Sequence, residues 1–107
     1  MSPSTSVFHY GQAIFEGMKA YKNDKGEVAL FRPLDNHKRM NISAERMAMP
    51  SIPQELFMQA LTQLVKLDKN WVPDVEGASL YIRPFIIGTD EFIGVKPSDN
   101  YRFYILT

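Results

Sequence analysis

Arg83 lies in the middle of an apolar stretch that runs from Leu80 to Ile87. Its guanidinium stays charged at every physiological pH, so it needs an anionic partner. Tyr81 precedes it by two residues, which in a strand places both side chains on one face, roughly 6.6 Å apart. Such a pair could bind a carboxylate, with the tyrosine hydroxyl beside the guanidinium. An arginine on a solvated sheet face, or paired with an aspartate or glutamate, is equally compatible with the sequence.

A second arginine, Arg39, stands beside the apolar Met40 in a stretch with helical spacing. Asp35 lies four residues earlier and could form a surface ion pair with it, which is the interpretation that spacing alone favours. The alternative is a contact with a phosphate, because the planar fork of a guanidinium matches phosphate oxygens.

Seven lysines could in principle form an imine with a carbonyl compound, which requires burial or a neighbouring charge to activate the amine. They are Lys19, Lys22, Lys25, Lys38, Lys66, Lys69 and Lys96. None has an activating sequence context, so all are interpreted as solvated surface residues. The two histidines are too few for a convincing metal site, and the chain has no cysteine.

The composition indicates a folded domain without a field of one sign. The 107 residues suit one domain, and 45% of them are hydrophobic. With 12 basic and 12 acidic residues, the chain has no basic surplus to bind nucleic acid or an anionic membrane. No apolar run approaches the roughly 20 residues of a membrane span, and no signal peptide is present. The absence of cysteine fits a cytoplasmic location.

Two strands and two helices are predicted in the first two thirds of the chain. The segment 9–17 has no clear period, whereas 18–21 and 27–31 form a hairpin around a polar turn that ends in glycine. A helix starts at Pro33 and stops before Pro50, with a buried stripe of His37, Met40, Ala44 and Met47. A second helix opens near 51–53, with a stripe of Phe57, Ala60, Leu61, Leu64 and Leu67. Trp71 is expected to anchor the connection that follows.

The last third predicts a strand over 79–87, a long loop, and a final strand over 101–106. The order β-β-α-α-β-β argues for an α+β fold in which two helices cover one face of an antiparallel sheet. Leu80, Ile82 and Ile86 should face the helices. The opposite face, with Tyr81 and Arg83, then needs water, a ligand or another domain.

Four segments together resemble the branched-chain amino-acid aminotransferases in residues, order and spacing. They are His9–Tyr21 (HYGQAIFEGMKAY), Leu30–Pro33 (LFRP), Arg39–Met40, and Ser79–Pro84 (SLYIRP). The resemblance implies a pyridoxal-phosphate enzyme of fold type IV, a homodimer or larger, with a small N-terminal and a large C-terminal domain. Such enzymes transfer the amino group of leucine, isoleucine or valine to 2-oxoglutarate, giving a branched 2-oxo acid and glutamate.

The resemblance also implies roles for individual residues. Arg39 resembles the arginine that binds the cofactor phosphate. Phe15 and Gly17 resemble residues of the substrate side-chain pocket. Tyr81 and Arg83 resemble the pair that handles substrate carboxylates.

Other residues resemble parts that act outside the subunit's own site. Tyr10, and Ile93 and Val95 in a turn, resemble residues that reach the partner subunit's pocket. The Schiff-base lysine and the glutamate that holds the pyridine nitrogen lie in the family's large domain, beyond Thr107. The chain opens directly on a site-like segment and stops within a strand pattern. Residues 1–107 are therefore expected to be the small domain alone, inactive and free of cofactor.

Two other interpretations stay open at this point. One is a different fold type IV enzyme, similar to an aminodeoxychorismate lyase. The other is a non-catalytic interaction domain that keeps the fold. The presence of Tyr10, Phe15, Arg39, Tyr81 and Arg83 favours the aminotransferase.

Overall fold

The strand β4 (Leu80–Gly88) is the centre of a five-stranded sheet, as its continuous apolar run requires. The computed structural model describes residues 1–107. The other elements, in chain order, are α1 (Ser6–Tyr10), β1 (Ala13–Phe15), β2 (Met18–Lys22), β3 (Val28–Leu30), α2 (Pro33–Arg46), α3 (Gln54–Leu67), a 3₁₀ turn (Lys69–Trp71) and β5 (Tyr101–Leu106).

Every strand pairing in the sheet is antiparallel. One edge of β4 pairs with β5. The other edge is shared, since β2 pairs with its N-terminal half and β1 with its C-terminal half, and β3 extends the sheet beyond β2. The link between β1 and β2, Glu16–Gly17, therefore lies against the middle of β4, where the Glu16 amide donates to the carbonyl of Pro84 at 2.9 Å.

The two faces of β4 differ as the sequence predicts. Ile82 and Ile86 are almost fully buried and belong to the hydrophobic core with Met40 of α2 and Phe57 of α3. Burying side chains of this size stabilises the fold by roughly 1.5–3 kcal/mol each. On the opposite face Tyr81 remains 45% exposed. The α+β fold with α2 and α3 on one face is confirmed.

The N-terminal segment contains two elements that the sequence analysis misses. Residues up to Ser6 were expected to be extended and 9–17 irregular, but α1 begins at Ser6 and ends at Gly11, whose φ of 63° stops the helix. Strand β1 has three residues, Ala13–Phe15. Elements this short do not display a period, so periodicity cannot reveal them.

The end of α2 corrects the predicted buried stripe. Met47 is 41% exposed, because the helix ends at Arg46 and the chain turns there. Ala48 adopts a left-handed φ of 55°, and Met49 enters the core in place of Met47. A helical pattern extended past the real helix end therefore selects the wrong methionine.

The region after α3 also differs from the prediction. Leu67 is 80% exposed, whereas Val65 is buried. Trp71 does not anchor the connection, since it is 76% exposed, and the neighbouring Val72 is buried instead. No helix in the structure has the length and apolar character needed to cross a membrane.

Candidate functional site

Arg83 is held on the open face of the sheet by neutral groups. Its Nε and Nη2 donate hydrogen bonds to the Tyr81 hydroxyl at 3.1 and 2.8 Å. Its guanidinium carbon lies 4.3 Å from the centre of the Phe15 ring, a cation–π contact. No carboxylate of the chain forms an ion pair with Arg83. Of the two interpretations left open by the sequence, pairing with an aspartate or glutamate is therefore wrong.

Gly17 makes room for the hydroxyl of Tyr81. A Cβ atom at position 17 would lie 2.6 Å from the Tyr81 hydroxyl oxygen and 3.3 Å from Cζ of the ring. Real Cβ atoms do not approach so closely, so any larger residue would have to displace the tyrosine. The absence of a side chain at Gly17 thus fixes where the Tyr81–Arg83 pair can lie.

Arg39 is held in a different way, by a buried carboxylate. Its Nε donates to Oε1 of Glu16 at 2.7 Å and its Nη2 to Oε2 at 2.6 Å, a two-pronged arrangement. The Glu16 side chain is 4% exposed, whereas that of Arg39 is 67% exposed. The predicted pairing of Arg39 with Asp35 is wrong, because Asp35 pairs with Arg32 at 2.6 Å.

Asn36 completes this arrangement. Its side-chain amide donates to Oε2 of Glu16 and to the backbone carbonyl of Gly17, both at 3.2 Å. Asn36 precedes Arg39 by three residues, so both lie on the same side of α2. Helix α2 therefore grips the β1–β2 link through an ion pair and an amide.

The charge state of Glu16 follows from these contacts. Burial by itself raises the pKa of the Glu16 carboxyl. Hydrogen bonds from Arg39, Asn36 and the backbone amide of Gly17, together with the charge of Arg39, outweigh burial and hold that pKa below its usual range. Hydrogen bonding to Glu16 likewise raises the pKa of the Arg39 guanidinium. Both groups are thus ionised at neutral pH.

The two arginine networks border a common open pocket of about 360 Å³. Tyr81 of one network and Asn36 of the other line it, and Gly17 lies between them. Its remaining lining residues are Met18, Lys19, Tyr21 and Phe31. Aromatic surface and polar groups thus occur around one opening, which is the usual composition of a small-molecule site.

Tyr10, Ile93 and Val95 lie apart from this cluster. Tyr10 is the last residue of α1 and is 41% exposed, and no ring contact or hydrogen bond joins it to Tyr81 or Arg83. Ile93 and Val95 are 69% and 97% exposed. Within this one chain they contribute nothing to the pocket.

The turn that carries Ile93 and Val95 is held firmly at its base. The Asp90 carboxylate accepts the backbone amides of Asp99 and Asn100 at 2.7 and 3.0 Å, and the Asn100 side chain at 2.8 Å. These bonds, the first above all, hold the pKa of Asp90 below its usual range. Two exposed apolar residues are thus presented on a loop whose ends are fixed.

Few of the remaining candidate side chains have special surroundings. Lys22 pairs with Asp74 at 3.2 Å, and Lys96 lies 3.6 Å from Asp99. Lys19 lines the open pocket. No group of three histidine, aspartate or glutamate residues is placed to hold a metal ion.

Glu16 and Asn36 are the residues of this site that the sequence analysis did not identify. A signal for Glu16 existed, since it is a charged residue within the apolar run Ile14-Phe15-Glu16-Gly17-Met18. The same criterion singled out Arg83. No comparable signal marks Asn36, whose role depends on the packing of α2 against the β1–β2 link.

Comparisons with known proteins place the chain among relatives of one kind, although no family model matches it. It is 59% identical over 106 residues to branched-chain-amino-acid transaminase 1 of Bacillus subtilis, covering 99% of the chain and 30% of that protein. It is 48% identical to the branched-chain-amino-acid aminotransferase of Helicobacter pylori, covering 98% of the chain and 31% of that protein. The chain thus spans about 30% of the length of these curated relatives.

The fold has solved counterparts of the same kind. The branched-chain amino acid aminotransferase of Escherichia coli matches with a TM-score of 0.76 and 27% identity, covering 98% of the chain and 32% of the solved chain. A second bacterial enzyme of the same name, from the organism abbreviated T.th., is complexed with N-(5'-phosphopyridoxyl)-L-glutamate. It matches with a TM-score of 0.80 and 27% identity, covering 98% of the chain and 34% of the solved chain.

Proposed function

We propose that this chain, which is homologous over nearly its whole length to about 30% of the branched-chain amino-acid aminotransferases, serves as the small domain of such an enzyme. The whole protein would transfer the amino group of leucine, isoleucine or valine to 2-oxoglutarate with pyridoxal phosphate. The names of the relatives and the phosphopyridoxyl compound in the solved T.th. enzyme support the reaction class and the cofactor.

The observation that carries the proposal is the unneutralised charge of Arg83 beside apolar surface. An aminotransferase of this type must accept both glutamate, with a charged side chain, and leucine, with an apolar one. A carboxylate that leaves water needs a cation, and a branched alkyl group needs aromatic or aliphatic surface. Arg83 offers the cation, and Phe15 with Tyr81 offers rings within about 5 Å of the same guanidinium.

Arg39 fits the phosphate of the cofactor in its chemistry. Its guanidinium is largely exposed and permanently charged, and Nη1 has no partner in the chain. Glu16 occupies the other edge of the fork, so the free edge can donate to phosphate oxygens. The bound cofactor would act as the electron sink of amino-group transfer.

The other parts of the site are proposed to come from elsewhere in the enzyme. The covalently attached lysine and the partner of the pyridine nitrogen would belong to a large C-terminal domain. Tyr10, Ile93 and Val95 would complete the pocket of a second subunit in a homodimer, and a cytoplasmic location is proposed. The 107-residue chain alone is then inactive and free of cofactor.

The test is amino transfer by the full-length polypeptide. Leucine and 2-oxoglutarate should yield glutamate and a branched 2-oxo acid when pyridoxal phosphate is supplied. A lyase would release its product without this exchange, and a non-catalytic domain would do neither. For the 107-residue chain, borohydride reduction with pyridoxal phosphate should leave the mass unchanged. A stoichiometric adduct at one lysine, with transamination of leucine, would contradict the assignment of the lysine to another domain.

A further inference from the structure

We propose that Glu16 is a positioning residue that fixes the guanidinium of Arg39 so that one free edge is offered to the phosphate of pyridoxal phosphate. The inference rests on the proposed cofactor function of Arg39. It assigns a role to a carboxylate that itself would touch neither cofactor nor substrate.

The geometry of the pair carries the first step. Glu16 accepts both Nε and Nη2 of Arg39, at 2.7 and 2.6 Å, and two parallel bonds of this kind fix a planar group in orientation as well as in place. An exposed arginine held by one bond, or by none, would sample many rotamers and lose more side-chain entropy when it binds an anion. Holding Arg39 in advance reduces that loss.

The anchoring of Glu16 itself carries the second step. Its amide donates to the Pro84 carbonyl of the central strand, and its carboxylate also accepts the Asn36 amide. The side chain is 4% exposed, so it has no freedom to follow Arg39 if the arginine moves. The pair therefore behaves as a rigid mount for an exposed guanidinium.

A carboxylate in this position also has an opposing effect on anion binding. It neutralises part of the charge of Arg39, which on its own would weaken the attraction for phosphate. A carboxylate that merely screened the arginine would therefore improve phosphate binding when removed. The proposal predicts the reverse, and this opposite sign makes the two roles separable.

The experiment compares the affinities of pyridoxal phosphate and pyridoxal for the full-length apo-protein by spectroscopic titration. Glu16→Gln keeps the shape of the side chain but removes the charge. It should raise the Kd of pyridoxal phosphate about tenfold and leave the Kd of pyridoxal within about twofold, because only the former has the phosphate. In an Arg39→Ala background, Glu16→Gln should change neither value, since the group it positions is absent.

A matched control and a milder variant accompany this comparison. Asp35→Asn breaks the exposed Arg32–Asp35 pair on the same helix and should leave both affinities unchanged. Asn36→Ala removes one donor to Glu16 and should weaken pyridoxal phosphate binding roughly threefold, which gives a result even if Glu16→Gln does not fold.

Three outcomes would overturn the inference. Equal losses for pyridoxal phosphate and pyridoxal, or a further loss in the Arg39→Ala background, would mean that Glu16 only supports the fold. Tighter binding of pyridoxal phosphate by Glu16→Gln would mean that Glu16 only screens charge. If Arg39→Ala leaves the affinity for pyridoxal phosphate unchanged, the cofactor assignment of Arg39 fails and the role of Glu16 fails with it. A loss in Arg39→Ala without any loss in Glu16→Gln would refute the positioning role alone.

Discussion

The two arginines of the candidate site are held by opposite means. Arg39 is bound through two N–H groups to a buried carboxylate, whereas Arg83 rests against a hydroxyl and an aromatic ring and has no anionic partner. A pair such as Glu16–Arg39 is part of the fold, because a buried carboxylate needs a partner whether or not a ligand is present. Arg83 keeps its charge available. The contrast teaches that one arginine is a fixed structural contact with an exposed edge and the other an open receptor for an anion.

The largest expected effect comes from breaking the fixed arginine. Arg39→Ala should weaken pyridoxal phosphate binding roughly tenfold to hundredfold, because one charge-assisted contact is lost. It should also lower the melting temperature of the apo-protein, since Glu16 is left buried without its cation. Spectroscopic titration and thermal unfolding measure the two effects.

Arg32→Ala provides the control for this change. It removes an exposed arginine whose partner, Asp35, is also exposed, so stability and cofactor affinity should both stay near the parental values. An Arg39→Ala protein as stable as Arg32→Ala would show that Glu16 does not depend on its partner.

A smaller effect is expected when the open receptor is disturbed indirectly. Gly17→Ala would place a methyl group 2.6 Å from the Tyr81 hydroxyl and force the ring aside, which breaks its bonds with Arg83. The kcat/KM for glutamate should fall roughly threefold to tenfold, equivalent to about 0.5–1.5 kcal/mol. Steady-state kinetics on the full-length enzyme measure the change.

The hydroxyl is the atom that makes this substitution harmful. Tyr81→Phe removes it, so adding Gly17→Ala to Tyr81→Phe should cause little further loss. Full additivity of the two losses would mean that Gly17 acts through some other contact.

The smallest effect concerns pH. Because the pKa of Glu16 is held below its usual value of about 4.3, its contribution to stability is complete above that pH and is lost as the pH falls through the lowered pKa. The difference in free energy of unfolding between the parental protein and Glu16→Gln should therefore shrink as the pH falls from about 5 to about 2.5.

Urea unfolding at several pH values measures this difference. Asp90, whose pKa is also lowered, is present in both proteins and cancels in the comparison. A difference that stays constant over this range would mean that Glu16 does not titrate with a lowered pKa.

The open receptor could be predicted from sequence, and the fixed arginine could not. The alternation along β4 is local information, so the common face of Tyr81 and Arg83 follows from a period of two. The partner of Arg39 is 23 residues away in the chain, and the local spacing pointed to Asp35 instead. Only the packing of α2 on the β1–β2 link decides between them.

Similar reasoning explains the errors in the fold. Met49 replaces Met47 in the core because a left-handed residue, Ala48, turns the chain after α2, and nothing in the spacing announces that turn. Strand β1 was missed because its pairing with β4, not its own three residues, makes it a strand.

The division of labour between the two arginines is tested most directly by the substrate preference of Arg83→Gln. The ratio of kcat/KM for glutamate to that for leucine should fall roughly tenfold or more, because only glutamate brings a second carboxylate to this guanidinium. Arg102→Gln is the matched control, since Arg102 also lies two residues from a tyrosine on the same sheet face and donates to its hydroxyl at 3.3 Å. Arg39→Ala and Arg102→Gln should both leave the ratio unchanged. Equal losses for glutamate and leucine in Arg83→Gln would contradict the account.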